Sequence, residues 1–176
     1  MRKLRNDELN RLTVQDYIKT EKIPLVVVLD NIRSMNNIGS VFRTSDAFKV
    51  KKVILCGITA TPPHPDIHKT ALGATESVEW LYYEDTLQAI SELRTNGYRI
   101  LAVEQAEDSL KLNEVKFSTN DKLAIVLGHE VRGVQQEVVD VCDNVLEVKQ
   151  FGTKHSLNIS VCAGIVIWEL AKKFLH

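Results

Sequence analysis

The sequence predicts an α/β fold, a mostly parallel β-sheet flanked by helices. Two observations predict it: short, continuous apolar runs recur along the chain, and segments with helical spacing lie between them. Such runs are typical of strands buried on both faces, as in a parallel sheet. The predicted strands are residues 25–29, 53–56, 100–103, 123–127 and, more weakly, 145–148.

The predicted helices have recognisable ends. One follows Asn36 and Asn37, which can cap a helix, and another spans residues 86–95, between Asp85 and Gly97. A third follows Gly133, and a long final helix spans residues 157–175. The proline-rich stretch 61–65 is predicted to be a stiff loop, neither helix nor central strand. Trp80, Tyr82 and Tyr83 could belong to a strand or could stack on bases.

The 176 residues suit a single domain. Residues 1–22 look like a short amphipathic arm without a core of its own, and residues 23–176 form the predicted domain. The first residues lead into no signal-peptide core, and the longest apolar run, 161–168, is too short to span a membrane. We therefore expect a cytoplasmic protein. Cys56, Cys142 and Cys162 show no paired spacing and are predicted to be buried, reduced thiols.

The net charge of −1 does not by itself indicate a nucleic-acid partner. An RNA partner would need local basic patches, each of which could equally be solvated surface. The candidates are Arg2, Lys3 and Arg5; Lys49, Lys51 and Lys52; Lys149 and Lys154; and Lys172 and Lys173.

Three polar, glycine-containing segments follow predicted strands, where parallel sheets bind ligands. They are residues 30–44, 128–134 and 151–165. The first opens a helix whose early amides could face an anion, the second places Glu130 between two glycines, and the third leads into a helix of small residues. Each taken alone could be an ordinary turn or a capped helix.

Other chemistry finds little support in the sequence. Gly-x-Gly-x-x-Gly, a phosphate-binding Gly-Lys-Ser/Thr loop and Gly-x-Ser-x-Gly are all absent. His64 and His68, with Asp66 between them, could be metal ligands, but no third ligand is evident. We therefore expect no metal site.

The order of the three segments resembles the three motifs of the SpoU (TrmH-like) RNA methyltransferases. The first motif is Asn37-Ile-Gly39-Ser-Val-Phe-Arg43-Thr44, and the second is Gly128-His-Glu130-Val-Arg-Gly133. The third, and the most specific, is Ser156-Leu-Asn158-Ile-Ser160-Val-Cys-Ala163-Gly164-Ile165. The resemblance extends over residues 25 to 170, nearly the whole chain.

This resemblance implies a SPOUT-type fold, in which the C-terminal part of the sheet forms a deep trefoil knot. It implies S-adenosylmethionine as the cofactor, bound within the knot, a homodimer with the site near the subunit interface, and 2′-O-methylation of a ribose in transfer or ribosomal RNA. The chain has no room for the separate N-terminal RNA-binding domain of some ribosomal RNA enzymes, so we expect transfer RNA rather than ribosomal RNA.

The resemblance also assigns roles by position. Arg43 would be the catalytic arginine, assisted by Asn37, Glu130, Asn158 and Ser156. The cofactor would be held around Val103, Glu104, Leu127, Gly128, Val148, Ser156 and Leu157. Because the pKa of arginine exceeds about 12, Arg43 could remove the hydroxyl proton in a tuned environment or could only orient the hydroxyl and phosphate.

The chain departs from the family at two places. It has Val148-Lys149-Gln150 where many members have Ile-Pro-Met, and His129 and Val131 stand in the second motif where a small or amide residue and a glycine are common. These changes put the usual substrate preference in doubt. Two alternatives stay open: a catalytically silent RNA-binding or assembly protein on the same fold, and an α/β enzyme for another nucleotide.

Overall fold

The computed structural model describes residues 1–175 and contains one parallel sheet. Its strands are β1 (Ile23–Asp30), β2 (Val50–Cys56), β3 (Glu79–Tyr83), β4 (Tyr98–Val103), β5 (Leu110–Lys111), β6 (Lys122–Leu127) and β7 (Asn144–Glu147). The strand order is β3-β2-β1-β6-β4-β7-β5, and every pair of neighbours is parallel. The predicted α/β fold with a mostly parallel sheet is confirmed.

Helices cover both faces of this sheet. They are α1 (Val14–Lys19), α2 (Met35–Ala47), α3 (Pro65–Ala71), α4 (Ala74–Ser77), α5 (Thr86–Thr95), α6 (Gln136–Val141) and α7 (Ile159–Ala171). The buried side chains of α2, α3, α4 and α7 form the core on one face, and those of α5 and α6 form the core on the other. Residues 25–29 of β1 are fully buried, which explains why this strand reads as a continuous apolar run.

The C-terminal strands do not follow their chain order in the sheet. β7 lies between β4 and β5, and residues 104–109 connect those two strands across its end. After β7 the chain passes to the face of the sheet opposite α6, where α7 packs on α2. This strand order is consistent with the predicted trefoil knot.

The starts of helices α2 and α3 differ from the sequence-based predictions. Helix α2 begins at Met35, and its N-cap is Ser34, whose hydroxyl accepts a hydrogen bond from the Asn37 amide at 3.3 Å. Asn36 and Asn37 therefore lie in the first turn and do not cap it. The stretch 61–65 is a loop only as far as His64, because Pro65 begins α3 at the first helical position, where a missing N–H costs nothing.

Helix α7 is shorter than the predicted span of residues 157–175. It begins at Ile159 because the Asn158 side chain caps it, and it ends at Ala171, before Lys172 and Lys173. Trp80, Tyr82 and Tyr83 lie in the edge strand β3. Within residues 1–175 no helix has both the length and the hydropathy to cross a membrane.

The N-terminal arm contains a 3-10 turn (Asn6–Leu9) and α1. In these two elements Tyr17 is the one buried residue. Its hydroxyl donates a hydrogen bond to the carbonyl of Asp46 at 3.0 Å. Leu12 and Ile18 are exposed. The arm thus contacts the domain near the end of α2, and the domain boundary at residue 22 stays a prediction.

Candidate active site

A cleft of about 730 Å³ opens at the carboxyl ends of β4, β6 and β7. This is the edge of a parallel sheet at which ligands bind, and the volume is that of a typical small-molecule site. Its apolar lining includes Val103, Leu127, Val134, Val139, Leu146, Val148, Leu157, Ile159 and Cys162.

All the residues predicted to hold a cofactor line this one cleft. They are Val103, Glu104, Leu127, Gly128, Val148, Ser156 and Leu157. Ser156 and Leu157 lie just before α7, and the other five lie at the ends of β4, β6 and β7. The sheet order brings these three strand ends together because β4 lies between β6 and β7. Their contact with a cofactor stays a prediction.

The floor of the cleft depends on two glycines of the second motif. A Cβ on Gly128 would lie 2.1 Å from the backbone of Gly133 and Val134, so the loop closes on itself only without a side chain there. Gly133 has a φ of +70°, in the left-handed region, and a Cβ there would lie 2.2 Å from Glu104 Oε2. The Glu104 carboxylate accepts hydrogen bonds from the amides of Gln105 at 2.9 Å and Val134 at 3.2 Å.

Glu130 joins the second motif to the first. Its carboxylate accepts hydrogen bonds from the backbone amides of Arg33 and Ser34 and from Asn37 Nδ2, all at 3.0 Å. These amides immediately precede the first turn of α2, where free N–H groups attract a negative charge. The anion that the sequence predicted at this helix start is therefore a side chain of the protein itself.

These hydrogen bonds set the charge state of Glu130. Partial burial by itself raises the pKa of this carboxyl, but the backbone amides of Arg33, Glu130 and Ser34 and the side chain of Asn37 outweigh it. The net effect lowers the pKa of Glu130. The group is thus a fixed anion at neutral pH, suited to positioning the loops.

Asn158 joins the third motif to the other two. Asn158 Nδ2 donates to Asn37 Oδ1 at 3.1 Å, and Asn158 Oδ1 accepts from the amides of Ser160 at 2.8 Å and Val161 at 3.4 Å. One asparagine therefore caps α7 and ties its start to α2. The chain Glu130–Asn37–Asn158 connects all three motifs beside the cleft.

Gly39 of the first motif has a packing role. A Cβ at this position would lie 2.1 Å from Thr70 Oγ1 and 2.3 Å from the carbonyl oxygen of Ile67. Helices α2 and α3 therefore touch at this point, and Thr70 Oγ1 donates to the carbonyl of Asn36 at 3.0 Å.

The structure does not bring Arg43 to the cleft. Arg43 is exposed and lies on the side of α2 opposite the buried Asn37, Val41 and Ser45. It is absent from the cleft lining, whereas Glu130, Asn158 and Ser156 belong to it. Within this chain, the arginine that the resemblance implies to be catalytic is thus separate from the cleft.

Sequence reasoning missed several residues of the site. Asp30, fully buried at the end of β1, accepts from the Gln135 amide at 3.0 Å, Gln135 Nε2 at 2.9 Å and the Thr86 hydroxyl at 2.6 Å. A carboxylate at the end of an apolar run was the available signal. Gln105 and His155, unlike Asp30, line the cleft, and Gln105 Nε2 donates to the carbonyl of His155 at 2.6 Å. A tertiary contact of this kind leaves no signal in the sequence.

The cysteines are unsuited to nucleophilic chemistry. Burial raises the pKa of Cys162, which lines the cleft, to about 11, and the nearby Glu104 adds to this effect. Burial also raises the pKa of Cys56 to about 12 and that of Cys142 to about 11. All three are free thiols, as predicted, but only Cys56 is fully buried, and Cys142 and Cys162 are half-buried.

His64 and His68 do not form a metal site in the part of the chain that the structure describes, where no three His, Cys, Asp or Glu side chains cluster suitably. His64 is the N-cap of α3, and His64 Nδ1 accepts from the Asp66 amide at 3.2 Å.

Residues 24–168 match the model of the SpoU rRNA Methylase family. The chain is 29% identical over 160 residues to a protein of Staphylococcus haemolyticus, a putative TrmH family tRNA/rRNA methyltransferase. The aligned region covers 91% of this chain and 63% of that protein. It is 28% identical to the 23S rRNA (guanosine-2′-O-)-methyltransferase RlmB of Neisseria meningitidis, over 93% of this chain and 65% of that protein. The chain thus spans about two thirds of the length of these curated relatives.

Solved structures have the same fold. The TrmH/SpoU tRNA modifying enzyme of A. aeolicus superposes with a TM-score of 0.81 at 23% identity, over 91% of this chain and 80% of that one. A structure described as giving insight into 2-OH methylation of C/U34 on tRNA superposes with a TM-score of 0.74 at 25% identity, over 86% of this chain and 95% of that one.

Proposed function

The chain belongs to the SpoU rRNA Methylase family, and from that premise we propose that it transfers a methyl group from S-adenosylmethionine to the 2′-hydroxyl of a ribose in RNA. The observation that carries the proposal is the hydrogen-bonded chain Glu130–Asn37–Asn158. It fixes the three motif segments around one cleft, which supplies both a cofactor site and a rigid place for the substrate ribose.

The cleft residues fit the proposed cofactor. Apolar side chains from three strand ends could enclose an adenine ring, and the glycines of the second motif leave the backbone accessible to a ligand. Two structures of this fold contain bound AdoMet, those of a Sinorhizobium meliloti rRNA methyltransferase and of the SpoU methyltransferase AviRb from Streptomyces viridochromogenes. When bound, the cofactor supplies a methyl group activated by a sulfonium centre.

Positioning dominates what the protein's own residues contribute. Methyl transfer needs the hydroxyl aligned at near-attack distance, and Glu130, Asn37 and Asn158 hold the loops that define this position. The ribose hydroxyl must also lose its proton. We assign to Arg43 either this proton transfer or the orientation of the hydroxyl and its neighbouring phosphate.

Because Arg43 is remote from its own cleft, we propose that the active form is a homodimer. Helix α7 exposes an apolar stripe to solvent, formed by Val161 (52% exposed), Ile165 (39%) and Trp168 (53%). Exposed apolar side chains at helical spacing indicate a protein interface. Helices α2 and α7 pack together, so a subunit seated on this stripe would cover the region around Arg43.

Transfer RNA is the substrate class that we propose. What supports this proposal is the likeness to the structure that concerns 2-OH methylation of C/U34 on tRNA, which is matched over 95% of its own length. The ribosomal RNA relative RlmB is matched over 65% of its length.

The test is transfer of labelled methyl from S-adenosylmethionine to total RNA from a strain that lacks the gene, followed by nucleoside analysis of size-separated fractions. We expect a 2′-O-methylated nucleoside in the transfer RNA fraction. Label in the ribosomal fraction would correct the substrate class, and label on a base would refute ribose methylation. Cofactor and RNA binding without any transfer would favour the catalytically silent RNA-binding protein.

A further inference from the structure

A short basic loop forms part of the cleft rim. We call residues 149–155 the rim loop; it contains Lys149, Lys154 and His155 and no carboxylate, in a chain whose net charge is −1. A positive segment on a nearly neutral protein is a local site for a negatively charged partner.

The rim loop also exposes an aromatic ring. Phe151 is 86% exposed, and the Lys149 ammonium lies 5.3 Å from the centre of its ring. The ring therefore presents an open face next to a cation. Aromatic faces of this kind stack on nucleobases in single-stranded RNA, and neighbouring cations contact the phosphates.

The rim loop is held against the cleft. Gln150 and His155 line the cleft, and Gln105 Nε2 donates to the carbonyl oxygen of His155 at 2.6 Å. Phe151 thus lies one residue from a cleft-lining position, on the outer side of the rim. A nucleotide next to the one whose ribose enters the cleft would pass over this ring.

We propose that the rim loop binds the RNA nucleotide adjacent to the methylated one, with its base stacked on Phe151 and its phosphates contacted by Lys149 and Lys154. The proposal rests on the proposed function and adds the surface that holds the substrate. The positive charge of the loop favours RNA as the partner. A protein partner is less well matched, because Phe151 is flanked by Gln150 and Gly152 and not by further apolar side chains.

The test measures binding of two probes, a short fluorescein-labelled oligouridine and bulk transfer RNA, to the full-length protein saturated with S-adenosylhomocysteine. We expect Phe151→Ala and Phe151→Leu to weaken oligouridine binding about tenfold, the effect of losing one base–aromatic stack. Phe151→Tyr and Phe151→Trp should restore it, because both retain a stacking face. Ile58→Ala is the matched control, since Ile58 is 63% exposed and lies outside the cleft lining.

Salt dependence separates the roles of the charges and the ring. Lys149→Gln and Lys154→Gln should each reduce the slope of log affinity against log salt by about 0.7, the value for one phosphate contact on a single strand. Phe151→Ala should lower the affinity and leave this slope unchanged.

Several outcomes would overturn the proposal. Wild-type affinity in Phe151→Ala would refute the stack, and rescue by leucine would indicate apolar packing. A change of oligomeric state in Phe151→Ala would make the ring a subunit contact. These results leave methyl transfer by the wild type intact, whereas a wild-type protein that neither binds RNA nor methylates it refutes the proposed function as well.

Discussion

Asn158 Nδ2 donates a hydrogen bond to Asn37 Oδ1 at 3.1 Å, although 121 residues separate the two asparagines in the chain. Asn37 passes the connection on through its Nδ2, which donates to Glu130 Oε1 at 3.0 Å. Asn37 is only 9% exposed, and a buried polar group needs hydrogen-bond partners within the protein. Both its Oδ1 and its Nδ2 have one. The hydrogen bond between these two asparagines holds the first and third motifs together in one site.

Replacing Asn37 by alanine should destabilise the protein. The change removes one donor from Glu130 and leaves Asn158 Nδ2 without its acceptor, which costs about 1–3 kcal/mol of unfolding free energy. Urea unfolding measures this loss. The control is Asn36→Ala, because the exposed Asn36 side chain makes no hydrogen bond within the described residues and its carbonyl remains; an equal loss in both variants would contradict the role of Asn37.

Glu130 should make stability depend on acidic pH. Because its folded-state pKa lies below the ordinary value of 4.5, its stabilising effect is complete above that value and is lost as the pH falls through the folded pKa. We expect wild type to be more stable than Glu130→Gln at neutral pH, with the difference shrinking as the pH falls below 4.5 and through the folded-state pKa. Urea midpoints of both proteins across this range check the prediction, and a constant difference would refute it.

The two glycines of the second motif should tolerate alanine unequally. Gly128→Ala would push a Cβ into backbone atoms at 2.1 Å, whereas Gly133→Ala would meet the movable Glu104 side chain, in addition to the left-handed strain. We expect about 1–2 kcal/mol of strain for Gly133→Ala and a larger loss for Gly128→Ala. Thermal unfolding and cofactor calorimetry measure both. Gly152→Ala serves as the stability control, because nothing lies within 4 Å of its Cβ position.

Arg43→Ala should abolish turnover and spare cofactor binding. Arg43 lies outside the cleft lining, so calorimetric affinity for S-adenosylmethionine should match that of wild type. Turnover should fall by about 100-fold or more if the guanidinium acts on the hydroxyl. Arg43→Lys separates the roles, because an ammonium keeps the charge but lacks the planar fork. Full activity in Arg43→Ala would eliminate Arg43 from the reaction.

Ile165→Glu should yield monomers. The substitution places a charge in the middle of the exposed α7 stripe, and burying an unpaired charge at an interface is strongly unfavourable. Light scattering on a size-exclusion column gives the mass directly, and methyl transfer should fall with it. Ile58→Glu controls for an added surface charge. A monomeric wild type would refute the dimer and would require another way for Arg43 to reach a cleft.

The apolar runs were strong predictors of the strands. A strand buried on both faces must be apolar at every position, so β1, β2, β4 and β6 could be read directly from the sequence. The short β5 at the edge, with two half-buried residues, carries no such pattern.

The N-caps of the helices were predictable only where one candidate was present. Asp85 was correctly predicted as the residue before α5. For α2 the sequence predicted Asn36 and Asn37 in place of Ser34, because three polar residues in close succession can each cap a helix.

By itself, the sequence determined the fold class and the three polar segments that follow strands, because burial period and glycine placement are local properties of the chain. The residues around the cleft were implied by the resemblance of these segments to the family's three motifs. Tertiary structure alone decided which of these residues meet. It joined Glu130, Asn37 and Asn158, placed Gln105 against the rim loop and left Arg43 on the far side of α2. The physical reason is that these contacts depend on strand order and on the return of α7 to the α2 face, and both follow from packing between segments that lie far apart in the chain.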